Sequence, residues 1–252
     1  CSDFIIGSYI SSDRNDVHTL IPFMEQLRKN YAGRNIGSVV VDSGYESEEN
    51  YCWFEAHPET ELYVKPSNHE AAKHRKYRTD ISRRENMAYD AQADAYTCAN
   101  GKLLQRTREK KTHTASGLEI ATSVYECNEC DGCPLKEKCI RACGSKKPLE
   151  ERYKVIYVSK RFARQRQAME AKISSPKGCL LRVNRSIQAE DNFAYVKQDL
   201  DFRRFLLRGN MKVAAEWLLF SLALNILHLH HKIQNRRLGS DLKIPSSFPA
   251  GL

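Results

Sequence analysis

The opening third of the chain alternates short apolar runs with amphipathic ones. "FIIGSYI" (4–10) reads as a strand. "DVHTLIPFMEQLRKNYAG" (16–33) reads as a helix with Asp16 as N-cap, apolar residues at Leu20, Phe23, Met24 and Leu27, and Gly33 as terminator. "IGSVVVD" (36–42) predicts a fully buried strand, "SEENYCWFEAH" (47–57) a short helix closed by Pro58, and "ELYVK" (61–65) a further strand before Pro66. Strand, helix, strand, helix, strand is an α/β layout with parallel pairing.

From Ser67 the aliphatic residues thin out. "NHEAAKHRKYRTDISRRE" (68–85) is a basic run that serves equally as a solvated face or as a nucleic-acid contact. Short aromatic-bearing strands, an Asn-Gly turn and a cysteine cluster follow between Met87 and Gly144 and predict a small, strand-rich, metal-organised module. Beyond a basic, Gln-rich helix, "SKRFARQRQAMEAKI" (159–173), and a break at Pro176 and Gly178, the pattern turns helical again. Val213, Trp217, Phe220, Leu224 and Leu227 recur there at helical spacing and mark a core-facing stripe. The divisions that follow are a first core segment (1–66), a basic insertion with the cysteine module (67–175), C-terminal helices completing the core (176–236) and a flexible tail (237–252).

Composition sharpens this picture in three ways. Forty Lys and Arg against 31 Asp and Glu give +9, which favours a polyanionic partner such as nucleic acid. No signal sequence opens the chain, and the longest apolar run, Trp217 to Leu227, contains Asn225 and is too short to span a bilayer, so an intracellular protein with no membrane partner is expected. The chain starts at Cys1, within the strand reading, so an N-terminal part lying upstream is expected as well.

Nine cysteines in a reduced compartment argue against a disulfide framework. Cys127, Cys130, Cys133 and Cys139 form C-x2-C-x2-C-x5-C, with Cys98 one strand earlier in "YTCANGK" and Cys143 just beyond. Four such sulfurs suit a closed, structural tetrahedral zinc. Six cysteines compete for the four places, an iron–sulfur centre is a rival despite its unsuitable fourth spacing, and uncoordinated thiols are the bland reading.

Two carboxylates stand out. Asp42 ends the valine run of "VVVDSGYESEENY" (39–51), where an aspartate either caps the following turn or offers a metal ligand at a strand end. Glu190 lies in "SIQAEDNFAYVKQD" seven residues before Lys197, which on an α-helix is nearly two turns and about 10 Å. That is too far for a good salt bridge, yet suited to holding a cation and a neighbouring phosphate.

"DSGYESEENY", "YDAQADAYTCANGK", "CDGCPLKEKC", "NRSIQAEDNFAYVKQD" and "FRRFLLRGNMKVAAEWLLFSLALNI" together resemble the DDE transposases of bacterial insertion sequences, of the type with a cysteine-bearing insertion. The resemblance implies a ribonuclease H-like α/β core interrupted by a small zinc-binding, strand-rich insertion. It also implies metal-dependent phosphodiester cleavage and strand transfer at element ends, in the bacterial cytoplasm at the nucleoid. Asp42 matches the second catalytic carboxylate and Glu190 the third, both as ligands of Mg²⁺ or Mn²⁺; the first Asp is expected upstream of Cys1, since none of Asp3, Asp13 or Asp16 occupies its place. Zinc is expected on Cys98, Cys130, Cys133 and Cys139, with Cys127 as alternate. Lys197, Arg203, Arg204 and Arg208 are the expected contacts to double-stranded DNA, at element ends and target, and a homo-oligomer on DNA is compatible with the pattern. The family's Arg before the Glu is offset by one residue here, as Arg185, which therefore receives no catalytic role. A catalytically inactive, zinc-containing DNA-binding remnant is the alternative to the enzyme.

Overall fold

The computed structural model describes residues 4–141 and 146–239, and of Glu190, Asp191 and Asn192 the backbone alone. Along the chain run α1 (Leu20–Asn30), β1 (Ser38–Val41), α2 (Glu48–Glu55), β2 (Glu61–Val64), α3 (Arg75–Arg78), β3 (Ala88–Asp90), β4 (Ala95–Thr97), β5 (Leu103–His113), β6 (Glu119–Glu126), α4 (Lys136–Cys139), β7 (Val155–Val158), α5 (Lys160–Ser174), α6 (Pro176–Arg185), α7 (Asp191–Ala194) and α8 (Asn210–Gln234). This is a mixed α/β chain in two compact units. One is discontinuous, 1–66 with 168–252, and the other is the contiguous stretch 67–167.

In the discontinuous unit β1 and β2 pair in parallel, Ser38 opposite Glu61 through Val41 opposite Val64. Its core gathers Leu20, Met24 and Leu27 of α1, Tyr51 and Phe54 of α2, and Leu62, Tyr63 and Val64 of β2. β1 departs from the fully buried strand expected, being only half-buried, because among the described residues β2 is its one partner. Residues 4–10 are not a strand either. Their backbone groups bind side chains instead: the Asn225 amide accepts from the Ile5 N–H and donates to its carbonyl, both at 2.8 Å, Tyr31 Oη donates to the Ile6 carbonyl at 2.7 Å, and Gln26 Nε2 to that of Ser8 at 3.2 Å. One carboxamide thus imitates a neighbouring strand at a single residue.

Local capping explains the helix starts. Ser47 accepts the Asn50 N–H at 3.0 Å and opens α2. Asp16 does not cap α1 as expected; it lies within a 3₁₀ turn, Asp16–His18, that precedes the helix. Ser175 caps α6, accepting the Gly178 N–H at 3.1 Å, with Pro176 in the first turn. Gly178 is inside α6 rather than part of the break. A Cβ there would lie 2.2 Å from the Lys172 carbonyl oxygen, so only glycine lets the two helices approach this closely.

The helical run expected to follow is interrupted. After Arg185 the backbone passes through a π-helical turn, Ser186–Glu190, then α7, then a second π turn, Tyr195–Asp199. Residues 201–209 form an irregular loop held by buried Glu216, whose carboxylate accepts the N–H groups of Leu206 and Leu207 at 3.0–3.1 Å. On α8 the predicted stripe is partly realised: Leu224 is buried while Val213, Trp217, Phe220 and Leu227 are half-buried. Leu218, Leu219, Leu222 and Ile226 are exposed on the same helix. By length and composition alone α8 is apolar enough to cross a membrane, with a mean hydropathy of 1.4 over its best window, a test that the core helix of a water-soluble protein also passes.

The contiguous unit is a five-stranded antiparallel sheet in the order β3-β4-β5-β6-β7. Tyr96, Leu104, Tyr125, Cys127, Cys130, Ile156 and Val158 fill its core, with Met87, Cys98 and Ile140 packed against them. The Asn-Gly turn after β4 is closed by the Cys98 N–H donating to the Lys102 carbonyl at 2.9 Å, and Gly101 takes the left-handed conformation it needs, at φ +73°.

Candidate active site and cysteine cavity

Asp42 stands at the end of β1, where the chain leaves the sheet into a 3₁₀ turn, Ser43–Tyr45. Its Oδ1 accepts the Ser43 N–H at 2.7 Å, so the turn-capping reading is met. Its Oδ2 lies 3.8 Å from the Arg185 guanidinium, and the side chain remains half exposed. The turn itself is fastened by buried Asn50, which donates to the carbonyls of Tyr45 at 2.7 Å and Val17 at 3.0 Å. That amide draws the Asp16–His18 turn against the Asp42 turn. A Cβ on Gly44 would come within 3.8 Å of Asp16 Oδ2. Burial pushes the Tyr45 phenol above its ordinary range, the Asp16 and Asp42 carboxylates add to the effect, and Thr19 and Arg185 oppose it.

Asp42, Tyr45, Arg185, Ala189, Phe193 and Trp217 line a single cleft of about 610 Å³ in this unit. Glu190 ends the first π turn, one residue beyond Ala189; its side chain lies outside the described residues. The π turn matters for Arg185. In a π turn the backbone repeats at i→i+5, so positions 185 and 190 stack as positions four apart do on an α-helix. The one-residue offset that removed Arg185 from consideration is absorbed by the helix geometry, which leaves no mark in residue types. The same geometry breaks the straight α-helix on which the Glu190–Lys197 spacing was reckoned, since Lys197 falls in the second π turn, with its ammonium 5.8 Å from the Phe193 ring.

Arg203, Arg204 and Arg208 are exposed on the loop held by Glu216, and Arg203 pairs with Asp201 at 2.8 Å. The closeness of Asp16 to the Asp42 turn runs through the Asn50 bonds to the Val17 and Tyr45 carbonyls, the first spanning 33 residues, contacts with no local signature in the sequence.

In the other unit Cys98, Cys127, Cys130, Cys133 and Cys139 line one cavity of about 20 Å³, together with Lys102, Glu129, Lys136, Ile140 and Lys154. That is room for a single small atom. A backbone N–H already points at sulfur: that of Lys154 reaches Cys130 Sγ at 3.4 Å. Burial pushes the Cys127 thiol up to about 11 and raises that of Cys139. Buried Lys154 donates to the carbonyls of Cys139 at 3.0 Å and Ser82 at 2.6 Å. The donor set suits zinc in kind, although among the described residues no three His, Cys, Asp or Glu side chains are drawn together closely enough to hold a metal ion. Cys143 lies outside the described residues.

A family model described as a transposase DDE domain matches residues 97–230, just over half of the chain. No curated protein and no solved structure matches. The matched span takes in the five cysteines of the cavity, Arg185, Glu190 and Lys197, and excludes Asp42.

Proposed function

The chain belongs to the transposase DDE domain family, and from that premise we propose that it carries part of a metal-dependent phosphodiester cleavage and strand-transfer site acting on DNA. The observation that carries this reading is one cleft bordered by Asp42 at a strand end, by Arg185, and by the backbone next to Glu190. Asp42 and Glu190 are the proposed ligands of Mg²⁺ or Mn²⁺. Hard cations prefer carboxylate oxygen, and such an ion supplies activation of the attacking water or 3′-hydroxyl and stabilisation of the leaving oxygen. Asp42 fits the role because Oδ1 is engaged by the turn while Oδ2 faces the cleft cation Arg185. Arg185, which the spacing argument set aside, fits a positioning role: it orients Asp42 and offers a planar donor to a phosphate. Lys197, Arg203, Arg204 and Arg208 suit contacts to the DNA backbone. Zinc on Cys98, Cys130, Cys133 and Cys139, or with Cys127 replacing one of them, would hold the sheet unit together without taking part in the reaction.

The test is Mn²⁺ binding by the full chain, followed through water-proton relaxation. Asp42→Asn should weaken it by about tenfold or more, as loss of a charged ligand does, and Glu190→Gln likewise, while duplex affinity stays close to that of the unmodified chain. Unchanged Mn²⁺ affinity in both variants would return Asp42 to turn-capping alone and favour a DNA-binding remnant.

A further inference from the structure

The net charge of the chain is confined to one unit. Residues 67–167 hold 22 Lys and Arg against 13 Asp and Glu, the entire +9, whereas the discontinuous unit has 18 of each. Within the charged unit β5 and β6 outrun their neighbours. β4 pairs with β5 only over Leu103–Gln105, and β7 with β6 only over Ser123–Glu126. Lys110–His113 and Glu119–Thr122 therefore form a ribbon two strands wide, closed by a turn in which Gly117 takes φ +89°. Four residue pairs at about 3.4 Å each make an arm of roughly 13 Å before the turn.

A ribbon of two strands has no core of its own and is marginally stable without support. Here Arg161 braces the β6 edge beyond β7, donating to the Glu119 carbonyl at 2.7 Å. Every residue of β5 from Gln105 to His113 is exposed. Strand alternation and the bulge between Arg106 and Arg108 put Arg108, Lys110 and Thr112 on one face, with Lys111 and His113 on the other. Arg108 pairs with Glu126 at 2.8 Å and Lys111 with Glu119 at 2.9 Å, exposed pairs of the kind that contribute little and exchange readily for another anion. Among the described residues no carboxylate lies within 4.0 Å of the Lys110 ammonium. The arm lacks the apolar patch that a protein partner would cover, and its width suits a DNA major groove, about 12 Å wide and 8.5 Å deep, which admits a two-stranded ribbon.

We propose that the β5–β6 ribbon is an arm that docks in a groove of duplex DNA, placing Arg108, Lys110 and Lys111 against the phosphates. This rests on the reading that DNA is the substrate, and it adds a docking element in the sheet unit to the contacts proposed for Lys197 and the arginine loop before α8. The experiment measures affinity of the full chain for a random-sequence duplex as a function of salt, for the unmodified protein and for the double variant Lys110→Ala with Lys111→Ala. Losing two phosphate contacts should make the log–log salt slope shallower by roughly two and weaken binding at low salt. Neither side chain is buried, so thermal unfolding of the double variant should match that of the parent, and the double variant to arginine should keep the full slope. If the parent binds duplex and the alanine variant shows the same slope, the arm is not the docking element while the DNA reading stands. If the parent binds no duplex at all, both fall.

Discussion

Asp94 shows how much one residue can hold. It sits in the left-handed region at φ +47°, and its carboxylate accepts from Lys160 Nζ at 2.8 Å and from the hydroxyls of Tyr89 and Tyr125, both at 2.7 Å. The Lys160 ammonium, helped by the two hydroxyls, holds the carboxyl far below the usual range against the opposing effect of burial, and burial together with Asp94 pushes the Tyr125 phenol up to about 12. A carboxyl lowered by folding adds stability that is complete above its unfolded pKa of about 3.9 and is lost as pH falls below it toward the folded value. Asn tolerates positive φ and keeps the size, so Asp94→Asn isolates the charge. Urea unfolding should show the variant weaker by roughly 1–2 kcal/mol at neutral pH, the scale of hydrogen bonds to a charged group in a partly exposed site, with the gap closing in strong acid. A gap independent of pH would contradict this account.

Elements were legible where their signals are local. The Val39–Val41 run, the 47–57 stretch closed by Pro58 and Gly33 at φ +85° each mark an element within a few residues of themselves. What escaped the sequence depends on distant partners. Residues 4–10 have strand composition, but a strand exists only where another strand meets it, and here Asn225 and Gln26 do so instead. The π turns around Glu190 carry no residue signature, so the sequence does not show that Arg185 borders the same cleft as Asp42, which ends its strand in plain view. The turn from α5 into α6 is a further case, since Gly178 reads as a helix breaker and serves as a contact. Gly178→Ala would force its methyl group into the Lys172 carbonyl and Ile173 Cα, at 2.2 and 2.8 Å. Overpacking against backbone should cost about 3 kcal/mol, visible as a lowered thermal midpoint, and an unchanged midpoint would mean that the two helices separate without penalty.

For the molecule as a whole, the two units should respond differently to metal. Protein purified without added metal is expected to contain about one zinc per chain, because the cysteine cavity has room for one atom. Its removal by a chelator should expose the amides of 67–167 to hydrogen exchange well before those of α1, α2 and β2, whose core of Leu20, Met24, Tyr51, Leu62 and Val64 contains none of these sulfurs. No zinc on elemental analysis, or a charge-transfer band from iron, would count against this. The Asn225–Ile5 clasp carries a different consequence, for the order of events during synthesis. It joins residues 220 positions apart. At a translation rate of roughly 5–20 residues per second, Ile5 waits some 10–40 s for its partner to be made. The whole of 67–167 emerges in that interval and can fold as it comes, so the sheet unit is complete while the two halves of the other unit are still strangers. Chains truncated near residue 180 and released should therefore already resist protease across the inserted sheet.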